Sequence, residues 1–148
     1  MALRPDRNEH LTDLSFFMNE TAERGVIVTA ATQGSGAAMD DSSAAVQVAN
    51  AKNEKPVGLL LNDVVNLDLT RQHINYAKDE VQQGSKVLLL RVGTVTTDQI
   101  SGSITMGAAA HFMSDGTLAT GSTASIQVGR FLSKKDADGF AKVAINIQ

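Results

Sequence analysis

From Gly25 onward the chain is a succession of short apolar runs separated by glycine and polar punctuation. Val26-Ile27-Val28-Thr29 is a compact, mostly β-branched run. Ala44 to Val48 follows a segment rich in Gly, Ser and Asp (Gln33 to Ser43), and Val57-Gly58-Leu59-Leu60-Leu61 is entered through Pro56. Further runs cover Lys86 to Thr96, Ile104 to Met106, Ala109 to Met113 and Ile126 to Leu132. Apolar and branched runs of this length, bounded by turn residues, read as strands. The last run is the clearest. Ala141, Val143, Ile145 and Ile147 alternate with Lys142, Ala144, Asn146 and Gln148, the period of two of a half-buried strand.

The punctuation fits closely spaced strands. Asp115-Gly116 and Asp138-Gly139 are hairpin-type dipeptides between apolar runs, and Gly84, Gly93, Gly102, Gly107, Gly121 and Gly129 interrupt the others. One stretch differs. From Thr70 to Gln83, the residues Ile74, Ala77 and Val81 recur at three- and four-residue spacing, with Gly84 placed as a stop. This predicts a short helix, the alternative being a long loop packed on the sheet. The expected fold is mostly β: a small barrel or sandwich of short antiparallel strands, an extended N-terminal arm and at most one short helix.

Residues 1–24 form the arm and residues 25–148 the β-rich domain. The arm is polar and charged except for the knot Leu14-Ser15-Phe16-Phe17-Met18. It is expected to be extended, with room for one helical turn, and to lie outside the sheet, the alternative being a frayed terminus. Leaving such side chains in water costs about 1.5–3 kcal/mol each, so the knot should dock on its own domain or on a neighbour. Leu14, Phe16, Phe17 and Met18 are therefore the candidate contact residues, and deletion of residues 1–20 is expected to leave the β-body folded.

Composition narrows the function classes. A chain of 148 residues suits one domain, and without cysteine it has no disulfide, thiolate metal site or Cys nucleophile. Net charge is -3, basic residues do not cluster beyond Lys134-Lys135, and aromatic residues are few, which argues against a nucleic-acid partner. No segment approaches the roughly 20 apolar residues of a membrane helix. The start, Met1-Ala2-Leu3-Arg4-Pro5-Asp6-Arg7, turns charged where a signal peptide would be apolar, so synthesis in the cytoplasm is expected.

Candidate chemistry does not assemble. His10, His73 and His111 are far apart in sequence and none has a partner at ligand spacing. Gly34-Ser35-Gly36 is followed by Met39 where a dinucleotide fingerprint needs glycine, and a P-loop would need Gly-Lys-Ser/Thr. Asp136-Ala137-Asp138-Gly139 resembles part of a calcium loop, but Phe140 opens a strand where further ligands should follow, so a hairpin turn is the better reading. Asp40-Asp41 are neighbours whose side chains diverge on an extended chain. Gly121-Ser122-Thr123 lacks the closing glycine of a nucleophile elbow. The expectation is a protein that is not an enzyme, with no catalytic residue, cofactor or metal.

The second half carries a resemblance. Gly84-Ser85-Lys86-Val87 through Gly93-Thr94-Val95 leads to Gly107-Ala108-Ala109-Ala110, then to Asp115-Gly116-Thr117-Leu118, Gln127-Val128-Gly129-Arg130-Phe131-Leu132 and a terminal strand. This order, over roughly residues 84–147, resembles the head decoration (cement) proteins of tailed bacteriophages. The resemblance implies a structural virion protein, often trimeric, that binds the major capsid protein on the outer surface of the expanded head and stabilises it. Such proteins have no catalytic residues to carry over. Rival readings are another virion component (a tail or connector subunit) and, third, a carbohydrate-binding β-module, which would normally offer Trp or Tyr platforms where this chain has no Trp and one Tyr.

Overall fold

In Val87-Leu88-Leu89-Leu90 every position is apolar, and an extended chain turns successive side chains to opposite sides. Both sides of that segment must therefore be covered by protein. A computed structural model, which describes residues 2–32, 44–51, 53–65, 80–121 and 125–148, shows how this is done.

The described elements are β1 (Asn8–Met18), β2 (Ala22–Glu23), β3 (Ile27–Ala30), β4 (Ala45–Val48), β5 (Pro56–Val65), β6 (Glu80–Val81), β7 (Lys86–Thr97), β8 (Ala109–Phe112), β9 (Leu118–Thr120), β10 (Gln127–Phe131) and β11 (Ala141–Asn146). Nine of them join in one sheet of order β1-β4-β3-β5-β7-β11-β10-β8-β9, while β2 and β6 form a separate pair. Except for the parallel contact of β1 with β4, neighbouring strands are antiparallel. Strand β7 is the spine: β1 runs along one edge, and the other edge pairs first with β5 and then with β11.

Two cores follow from this arrangement. Val87 and Leu89 enter one with Met18, Val28, Val46 and Leu60. Leu90 enters the other with Ile27, Leu59, Leu61, Phe112 and Phe131, and Leu88 packs against it. Adjacent residues of β3 and β5 thus serve opposite cores. The sheet is not closed into a barrel. It folds over itself into a sandwich-like body, and β1 meets β4 only at Phe17–Ala45 and Met18–Val46.

The mostly-β expectation holds, and among the described residues no helix is long and apolar enough to cross a membrane. The terminal strand is as expected, with Ala141, Val143, Ile145 and Ile147 buried and Lys142, Asn146 and Gln148 exposed. Both Asp-Gly dipeptides turn hairpins, β8–β9 and β10–β11, with Gly116 and Gly139 at φ of 78° and 87°.

Three expectations need correction. The strands are not all short, since β1, β5 and β7 have 11, 10 and 12 residues. Ile104 to Met106 is no strand: it lies between Gly102 and Gly107, both at positive φ, and the N–H of Ala108 donates to the carbonyl of Thr105 in a turn. The third concerns the arm. Residues 8–18 are extended, but they are a strand of the sheet, not a segment standing apart from it. The pairing is continued by residues before β1, for Arg4 N–H donates to the carbonyl of Thr96 and Thr97 Oγ1 donates to that of Ala2. Of the possible helix over Thr70 to Gln83, residues 70–79 lie outside the described residues, and Glu80–Val81 pairs as a strand with Ala22–Glu23.

Two outcomes follow. A Cβ at Gly129 would collide with the carbonyl oxygen of Ala144, whereas at Gly139 it would meet nothing within 4 Å and suffer only the positive φ. Gly129→Ala is expected to cost about 3 kcal/mol or more and Gly139→Ala about 1–2 kcal/mol, read by chemical denaturation. Deleting residues 1–20 strips an edge from β7 and Met18 from a core. The truncated chain should lose its cooperative unfolding transition, and a sharp transition near the full-length midpoint would refute this placement.

Candidate interface

The four contact residues expected from sequence do not form one patch. Met18 is wholly buried in its own domain, among Val28, Val46 and Val87. Phe16 is half-buried and packs against the same cluster, and Phe17, also half-buried, sits opposite Ala45 and Lys86. Only Leu14 stands out into solvent, 48 % exposed. It lies at an irregularity in the β1–β7 pairing between Asp13 and Phe16, where two residues of β1 face one of β7. Such a bulge re-aims side chains outward. The bulge is held locally, because Asp13 Oδ1 accepts both the N–H of Ser15, at 2.8 Å, and the Ser15 hydroxyl. Those bonds hold the Asp13 carboxyl below its ordinary value, the Ser15 hydroxyl contributing most.

Sequence reasoning missed how the chain start is held. The Arg4 guanidinium pairs with Asp136 Oδ2 at 2.8 Å and lies over the Phe140 ring at 4.3 Å, fastening the start of the chain to the β10–β11 hairpin. Asp136 Oδ1 accepts the N–H groups of Phe140, at 2.9 Å, and Asp138, at 3.0 Å. The carboxyl is accordingly held below its ordinary value, first by the Phe140 N–H, with Asp138 and Arg4 adding to it. The acidic run that resembled a calcium loop is thus a turn whose oxygens are engaged with backbone and Arg4. Asp115 does the same work in the β8–β9 hairpin, where the Thr117 hydroxyl and N–H lower its carboxyl.

The remaining sequence candidates are dispersed. His10 is exposed on β1, and His111 Nδ1 lies 3.0 Å from the carbonyl oxygen of Ser125. His73, Gly34-Ser35-Gly36, Asp40-Asp41 and Ser122-Thr123 lie outside the described residues. Among the described residues no three His, Asp or Glu side chains come close enough to hold a metal ion. A cleft of about 290 Å³ between the starts of β5 and β10 and residues 146–148 is lined by Lys55, Ile126 and Gln127 among others, with no carboxylate or imidazole side chain in its lining.

What the surface does offer is exposed apolar side chains on an ordered sheet: Leu11 and Leu14 on β1, Met106 in the turn before β8, and Ile126 and Leu132 at the two ends of β10.

The family model for the structural cement protein (E217 gp24/Pam3 gp6) matches residues 12–146. The chain belongs to this phage structural cement family. It is a structural protein of the virion, associated with the capsid. Among solved structures, the head fiber gp8.5 N base in bacteriophage phi29 is similar, with a TM-score of 0.57 over 96 % of each chain at 12 % identity, a likeness of fold. No curated protein matches. The cement match begins within β1 and takes in residues 12–24 of the segment that sequence alone set apart as an arm.

The turn carboxylates give this cement protein an acid limit. Asp13, Asp115 and Asp136 are all lowered in the fold, so the stability they contribute is present above their unfolded value of about 3.8 and is lost as pH falls through the lower folded values. Melting temperature should hold from neutral pH to about pH 5 and drop below about pH 4. Asp136→Asn should lower the melting temperature at pH 7 and flatten the acid drop; an unchanged pH profile would contradict the role given to this carboxylate.

Proposed function

We propose that the protein binds the outer surface of the phage capsid through the major capsid protein and stabilises the expanded head. It does so as a homo-oligomer, a trimer being favoured, and without catalysis. The observation that carries the reading is the cement-family match over nearly the whole described body. The same match favours a head component over a tail or connector subunit, and the scarcity of aromatic side chains disfavours a sugar-binding module.

Physical features support a clamping role. A clamp must resist deformation, and here both sides of β5 and β7 are packed in separate cores. A body that is ordered before binding spends little of its contact energy on ordering itself. The chain start is already stitched to β7 and to the last hairpin, so the surface is displayed without a folding step.

The test uses the full chain and the phage's own heads lacking this protein. The protein should add at saturable stoichiometry to expanded heads, fail to add to unexpanded ones, and raise the temperature at which heads release DNA. Its mass in solution should be a multiple of the single chain. Equal binding to both head forms, or no change in head stability, would count against the reading.

A further inference from the structure

Residues paired across neighbouring strands share a face of the sheet, so the register identifies the side turned away from the core that holds Phe112 and Phe131. Across β8, β10, β11, β7 and β1 the row Ala109–Arg130–Ala144–Thr94–Asn8 lies on that outer side. Ala109, Ala144 and Thr94 are half-exposed and small, which leaves the middle of the face low and flat, while Arg130 is exposed. In the next row Leu132 pairs with Lys142, whose carbonyl accepts the N–H of Leu132 at 2.8 Å. Met106 adjoins Leu132, because the N–H of Gly107 donates to the carbonyl of Phe131, and the two side chains are 64 % and 41 % exposed.

The charge on this face is out of character with the chain. The protein is net acidic at -3, yet Arg130 and Lys142 stand diagonally across β10 and β11 and neither has an ion pair among the described residues. Elsewhere Arg4 is engaged with Asp136, Arg7 with Glu9, and Lys135 with the carbonyl of Ile100, while Lys55, Lys86 and Lys134 have no ion pair among the described residues either. What distinguishes Arg130 and Lys142 is that they stand together on one sheet face beside exposed apolar side chains. Carboxylates border the Lys142 end of the face but are bound to other groups: Asp6 accepts from the hydroxyl of Thr96, the cross-strand partner of Lys142, and Asp136 and Asp138 pair with Arg4. Two like charges on adjacent strands oppose folding slightly, and none of these carboxylates makes an ion pair with Arg130 or Lys142, which leaves both cations open to carboxylates of a partner.

We propose that this five-strand face is the docking surface, and that its partner is a protein surface presenting carboxylates to Arg130 and Lys142, with Met106 and Leu132 packed beside them. This rests on the capsid reading above and identifies which side of the molecule meets the shell. Arg and Met are enriched in protein–protein interfaces, and the flat Ala-Thr floor allows backbone-to-backbone approach. A nucleic-acid partner would call for open stacking aromatics, and the aromatic at the end of this face, Phe140, is covered by Arg4.

The test compares three full-length proteins on expanded heads: wild type, Arg130→Glu with Lys142→Glu, and a control with the same charge change elsewhere, Lys55→Glu with Lys86→Glu. The face reversal should weaken attachment at least about tenfold, since like charges would meet across the interface, and the control should bind as wild type does. The milder Arg130→Gln with Lys142→Gln should bind more weakly than wild type and show a shallower loss of binding with added salt. It also covers the case in which the reversal disturbs folding, judged by melting temperature. Wild-type failure to bind heads would overturn the capsid reading and this surface with it. Wild-type binding matched by the reversal would overturn the surface alone. A reversal that changes the protein's mass in solution would assign the face to contacts between copies, and duplex DNA binding lost on reversal would assign it to nucleic acid; either result overturns the proposal.

Discussion

The structure depends on β7 being enclosed on both faces and both edges. Its first half has apolar side chains at successive positions, and each alternate pair is buried in a different core. Each large aliphatic side chain so buried contributes roughly 1.5–3 kcal/mol, and the pairing on both edges satisfies the backbone groups that burial removes from water. The exchange of partners along the other edge, from β5 to β11, lets one strand belong to two packed layers. Gly93 lies near this exchange, and the carbonyl of Asn8 occupies the space its Cβ would need. Its φ of 156° and missing side chain let β1 pass close by where the β1–β7 pairing shifts between Glu9 and Leu11.

The fastening of the chain start is a consequence of that enclosure. With β1 on one edge of β7, the preceding residues have only to continue alongside, and Leu3 opposite Thr97 does so as an isolated bridge. Leu3 and Ala2 are buried, and Arg4 then reaches the last hairpin. The first and last segments of the chain are thereby held together beside the spine. For the clamping role proposed above this matters, because a loose end would dissipate contact energy in ordering.

Fold and function rest on different comparisons. The phage head-fiber structure shares the fold at 12 % identity, and a shared fold does not transfer a partner. Family membership rests on the match over residues 12–146. The surface features are distinct from both: an outer sheet face with two unpaired cations, and an exposed leucine at a bulge, belong to this chain's own residues. The large interior side chains account for the fold, and the proposed docking residues are exposed positions between them.

Much of the architecture was legible in the sequence because it follows from local chemistry. Period-two alternation in residues 141–148 and the Asp-Gly turns need only the geometry of a strand and the φ freedom of glycine. The consecutive apolar residues at 59–61 and 87–90 likewise carry the signature of a strand buried on both sides. The fate of Leu14, Phe16, Phe17 and Met18 was not legible. Apolar content says that such residues seek cover, but whether the cover is internal depends on an edge of β7 some 70 residues away in sequence being open to receive them. The surface that bears Arg130 and Lys142 was hidden for the same reason. Each reads alone as an ordinary exposed cation, and only the pairing of β10 with β11 sets them on one face, where neither makes an ion pair among the described residues. Sequence determined which residues are extended and which are buried; tertiary pairing decided which of them meet, because register is a relation between strands that no single strand encodes.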